Sequence, residues 1–219
     1  MNERSRKLAW LSVYAVAMGF LEAAVVVYLR RIYYPENPLA LFPLRVWAPA
    51  DLLLEMGRET ATLLMILAAA AVAERGAVRI FAAFAYLFGV WDVAYYIWLK
   101  VILHWPLEWL EWDILFLIPW TWLGPWPAPA MVALVLAFWG WRLLREERDW
   151  PLRPRNLFLF AAGALLVLTA FLQPAYPLLS GGPAALGSFR PGEFWWPVYG
   201  IGLAAMAAGL FRSGAHRGR

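Results

Sequence analysis

The sequence predicts an all-α fold, a polytopic transmembrane helical bundle, and three observations carry that prediction. Hydrophobic residues make up 63% of the 219, mean hydropathy is +0.59 and only 16% of residues are charged, which is too apolar for an ordinary soluble domain. Six stretches approach the ~20 apolar residues that a bilayer crossing needs. Basic residues gather in alternate connections between those stretches, as the positive-inside rule requires. The whole chain, 1–219, reads as one integral membrane domain.

The predicted spans are 8–29, 51–73, 78–103, 114–144, 156–173 and 194–211. The first follows the basic start MNERSRK. Its apolar run is long enough to cross a bilayer and lacks a small-x-small cleavage site, so it is expected to be a retained helix rather than a signal peptide. Along it, Ala15, Gly19 and Ala23 repeat at four-residue spacing, a pattern that lets helices approach closely. The fourth span is expected to be broken. Pro119, Pro125, Pro127 and Pro129 lie with Gly124 in DILFLIPWTWLGPWPAPAMV, and prolines at that density do not fit one continuous helix. Either the helix breaks there, or a short piece and an interfacial loop precede a span starting near Ala128. In the sixth, Gly200, Ala204 and Ala208 form another small-residue face, suited to helix packing or to a partner in an oligomer or larger complex.

Placing both termini in the cytoplasm puts most of the 19 Lys and Arg residues there, in the N-terminal segment, around Arg75 and Arg79, between Arg142 and Arg155, and in the C-terminal tail. Trp105, Trp109, Trp112, Trp120, Trp122, Trp126, Trp195 and Trp196 then fall near the outer ends of spans, where indole rings favour the headgroup level.

Orientation gives depth to the charges inside the spans. Glu22 and Asp92 each lie about 14 residues, or roughly 21 Å, up from the cytoplasmic start of their helices. Glu59 lies roughly 12 Å below the outer boundary of a descending helix, and Glu55 roughly 6 Å below it. In a core about 30 Å thick, Glu22, Glu59 and Asp92 share a level. Arg58 can pair with Glu55 by i,i+3, and Tyr95 and Tyr96 share a helix face with Asp92 and offer it hydroxyl donors. Glu22, Glu55, Glu59 and Asp92 outnumber Arg58, and unpaired buried charge is costly. Some carboxyls are therefore protonated, or a cation sits among them, or the site is wet and open to the outside.

These groups define the expected site: Glu22, Glu55, Arg58, Glu59 and Asp92, with Tyr96, His104 and Asp113 as additions. Intramembrane ionisable residues mark ligand or ion sites by default. A metal, if bound, would be a hard divalent cation on Glu22, Glu59 and Asp92. The sequence has no cysteine and two histidines, His104 and His216, predicted on opposite sides. Fe–S clusters and bis-His haem are excluded on that basis, and no HExxH zinc motif occurs. GIGLAA at 200–205 imitates a dinucleotide fingerprint but sits in an apolar span without a βαβ unit. The basic tail and REERDWPLRPR read as anchors for the lipid bilayer, and nothing points to nucleic acid. Transport or binding of a cation, a proton or a small polar solute is the first functional expectation. An intramembrane enzyme acting on a lipid or isoprenoid by carboxyl acid/base chemistry is the second, and an accessory subunit of a membrane complex the third.

Overall fold

The computed structural model describes residues 2–146, 153–178 and 186–212. Six long helices and one β-hairpin make up the described chain: α1 (Glu3–Tyr33), α2 (Pro49–Ala73), α3 (Ala77–Leu103), β1 (Trp112–Phe116), β2 (Trp122–Pro125), α4 (Pro127–Arg145), α5 (Pro154–Leu172) and α6 (Trp196–Arg212). Five helices are long and apolar enough to cross a membrane: α1 to α4, and α5 with its continuation through a 3-10 turn to Leu178. The sixth predicted span corresponds to α6, the shortest at 17 residues. His216 and Arg148 lie outside the described residues.

Helix ends follow local chemistry. Asn2 caps α1, its Oδ1 accepting from the Ser5 N–H at 2.8 Å, so one orphan donor of the first turn is satisfied. α2, α4 and α5 all begin with proline in the first turn, where the missing N–H would have had no partner anyway. His104 ends α3 in the left-handed conformation, φ 57°.

The helices pair through small residues. Ala15, Gly19 and Ala23 are buried, and a Cβ on Gly19 would come 2.8 Å from Ala94 Cβ of α3. α3 and α4 meet at Gly89 and Gly140, with a Cβ on Gly140 reaching 2.5 Å from the Ala82 carbonyl. α5 and α6 meet at Gly163, Gly202 and Gly209. The packing face of α6 is thus Gly202–Met206–Gly209, one side of the helix away from the stripe expected from spacing: Gly200 and Ala204 are exposed and Ala208 is partly buried. Spacing alone cannot choose between two small-residue stripes; in the structure Gly163, Val167 and Phe160 of α5 meet the Gly202–Gly209 stripe, while Trp139 donates to the Leu210 carbonyl and Tyr199 to the Ala128 carbonyl and tie α6 to α4.

Of the two arrangements expected for the proline-rich segment, the structure has no broken helix and instead starts α4 at Pro127, next to the alternative start near Ala128, but what precedes it is a hairpin and not an interfacial loop. Residues 112–125 form an antiparallel hairpin pairing Trp112 with Pro125, Asp113 with Gly124 and Ile114 with Leu123, with an irregularity between Ile114 and Phe116. An unbroken α4 follows. Isoleucine, leucine, phenylalanine and tryptophan suit strands, Pro119 lies in the connecting turn, and Pro125 ends its strand, so neither interrupts the ladder. Pro127 and Pro129 open α4, where proline is tolerated. Gly124 lies against Phe171 of α5, its position for a Cβ only 2.9 Å from the ring.

Candidate functional site

A cavity of about 860 Å³ lies between α1, α2, α3, the connection 34–49 and the hairpin. Apolar side chains such as Leu41, Leu44, Met56 and Phe88 form most of its wall. Into the same wall come five carboxylates, Glu22, Glu55, Glu59, Asp92 and Asp113, with Arg30, Arg45 and Arg58. The three acidic residues expected at one depth, Glu22, Glu59 and Asp92, therefore border one space.

Their partners differ. Arg58 forms the i,i+3 pair with Glu55 through Nε (2.9 Å) and Nη2 (2.6 Å). It also reaches across to α1, donating Nη2 to Glu22 Oε1 at 2.9 Å and Nη1 to Glu22 Oε2. One guanidinium thus neutralises one of two carboxylates and holds both in forked geometry. Glu59 accepts the backbone N–H of Leu117, at 3.2 and 3.0 Å to its two oxygens, just beyond β1. That bond occupies a hairpin N–H beyond the paired residues of β1, so a buried backbone donor is satisfied.

Asp113 is buried in β1 and takes three donors: Arg30 Nη2 at 3.2 Å, Tyr95 Oη at 3.2 Å and Tyr96 Oη at 3.3 Å. The two phenols expected to serve Asp92 thus serve Asp113, because the hairpin brings a second carboxylate to their tips. Asp92 keeps Oδ2 buried and without a hydrogen-bond partner. Arg30 also stacks over the Trp105 ring, its guanidinium carbon 4.1 Å from the ring centroid, a cation–π contact in a desolvated place.

His104 stands apart from this arrangement. It is exposed at the end of α3, and its carbonyl receives Lys100 Nζ at 3.2 Å. Among the described residues no group of three or more His, Asp or Glu side chains is arranged to hold a metal ion. The tryptophans divide: Trp109, Trp120 and Trp195 are exposed, as a membrane belt requires, whereas Trp105 is fully buried under Arg30.

Arg30 borders the cavity and is not among the site residues expected from the sequence. A signal was present. Arg30 follows Ala23 by seven residues and Val27 by three, on the buried stripe of α1, whereas Arg31 falls on the exposed side.

A second charged cluster lies at the opposite end of the helices. Glu74, buried after α2, accepts Lys7 Nζ at 3.1 Å and Arg79 Nε at 2.8 Å. Burial alone would raise its pKa, but Arg79 and Lys7 outweigh burial and hold it below its ordinary value.

The fold and the cavity define a class: a helical membrane protein with a charged chamber at one end of its bundle. Comparison with protein-family models, curated proteins and solved structures finds no match for this chain.

Proposed function

We propose that the chain crosses the membrane six times with both termini in the cytoplasm, and that the cavity opens toward the outer side and binds a cation or small cationic solute for transport. The distribution of Lys and Arg supports this orientation. The observation that carries the binding reading is Asp92: a carboxylate bordering an 860 Å³ cavity with Oδ2 buried and unpartnered. A lone carboxylate in such surroundings is costly to keep charged, and a cation placed beside it removes that cost. Three of the other carboxylates are in ion pairs, Glu22 and Glu55 with Arg58 and Asp113 with Arg30, and Glu59 accepts the Leu117 N–H.

The test uses soluble organic cations, tetraethylammonium and choline, with the purified protein and with the protein in liposomes. Asp92→Asn is expected to reduce binding and uptake by about tenfold or more, the scale of one charge-assisted contact. Unchanged binding and flux in that variant would sink the reading. The apolar majority of the cavity wall favours a second reading, an enzyme acting on a lipid or isoprenoid with a carboxyl as acid or base. Turnover of a lipid by the wild type and not by Glu59→Gln would replace transport with catalysis.

A further inference from the structure

Among the described residues, Asp92 is one of two charged residues on the cavity wall that keep buried polar atoms without partners. Arg30, only 2% exposed, is the other: Nη2 is engaged by Asp113, but Nε and Nη1 have no hydrogen-bond partner. Both residues border the same cavity, and their unmet demands are opposite in sign. A purely cationic ligand answers Asp92 and leaves Arg30 as it is.

We propose that the cavity takes a zwitterionic headgroup of the phosphoethanolamine class, its ammonium beside Asp92 and its phosphate beside Arg30. This deepens the cation-binding reading and rests on it. Nε and Nη1 leave the guanidinium on different edges, so one anion meets one of them and not both. A phosphate is preferred to a carboxylate because it joins an ammonium-bearing group to a hydrocarbon tail, for which the apolar part of the wall has room. The cavity is larger than such a headgroup, and part of its wall is apolar, with Leu41, Leu44, Met56 and Phe88, so an attached hydrocarbon tail has surface to cover. α1 and α2 lack the close backbone packing that each makes with α3, and between them the Arg58–Glu22 ion pair is the side-chain bridge.

The experiment is native mass spectrometry of the purified full chain in detergent, with four probes in parallel: phosphatidylethanolamine, phosphatidylglycerol, dodecyltrimethylammonium and glycerophosphoethanolamine. Wild-type protein is expected to retain phosphatidylethanolamine about tenfold better than phosphatidylglycerol and than dodecyltrimethylammonium. Asp92→Asn removes the first preference, and Arg30→Lys, which keeps a cation for Asp113, removes the second. Glycerophosphoethanolamine bound as tightly as the lipid supports the headgroup and assigns it to a soluble source; bound far more weakly, it supports the headgroup as part of a lipid. Equal retention of the zwitterionic lipid and dodecyltrimethylammonium by the wild type overturns this proposal and leaves the cation site standing. Dodecyltrimethylammonium retained equally by wild type and Asp92→Asn overturns both readings. Because the decisive comparison is among ligands on the wild type, misfolding of either variant does not remove it.

Discussion

Arg58 shows how one side chain organises several. It ties Glu55 on its own helix to Glu22 on α1, and removing it leaves two carboxylates facing each other in a largely apolar wall. Arg58→Met is therefore expected to cost about 3–5 kcal/mol, the usual penalty for stripping the partner from a buried ion pair. Glu55→Gln should cost less, because Glu22 still engages the guanidinium. Thermal unfolding in detergent checks both, and equal midpoints for Arg58→Met and the wild type would show that the cluster contributes nothing to the fold. Sequence made part of this legible. The pairing of Glu55 with Arg58 could be read from its i,i+3 spacing, and Glu22, Glu59 and Asp92, grouped in the sequence reading, border one cavity. The assignment of Tyr95 and Tyr96 could not, because their acceptor, Asp113, arrives from a hairpin whose position depends on contacts distant in sequence.

At the scale of elements, glycine spacing decides how close the helices come. Gly163 of α5 faces Gly202 of α6, and a Cβ there would lie 2.5 Å from the Gly202 carbonyl, closer than backbone tolerates. Gly163→Ala is expected to lower stability by about 1–3 kcal/mol through overpacking, whereas Gly200→Ala, with nothing within 4 Å, should leave the melting midpoint unchanged or slightly raised. A reversed order in thermal unfolding would assign the packing to the Gly200 stripe instead. The helices themselves were readable from apolar length, with their ends marked by Asn2 and by the prolines of α2, α4 and α5. The hairpin was not. Four prolines exclude a continuous helix, but the alternative they leave, loop or strand, is settled by the pairing of 112–116 with 122–125 and by the donors and acceptors that receive it.

Across the whole molecule, charge concentrates at two ends with different chemistry. The cavity end holds an excess of carboxylates. At the other end, Glu74 joins α1 to the α2–α3 turn, and Arg79 extends the link to the Glu146 carbonyl after α4 at 3.3 Å. Since Glu74 has a folded pKa below its ordinary value of about 4.5, its contribution to stability is fully present above that value. It is lost as pH falls through the lower, folded value. Unfolding midpoints recorded from pH 7 down to 3 should therefore drop more steeply below pH 4.5 in the wild type than in Glu74→Gln. Parallel curves would remove this cluster from the account of acid sensitivity.

The hairpin's anchoring also has an order in time. Arg30, Glu59, Tyr95 and Tyr96, which receive Asp113 and the Leu117 N–H, all precede residue 112 in the chain. The residues of α1, α2 and α3 that hold the hairpin are therefore all synthesised before it. Phe171, the ring against Gly124, is synthesised afterwards. The hairpin's anchors thus fall on both sides of it along the chain: every polar one is synthesised before it, and the aromatic ring that covers Gly124 comes after it.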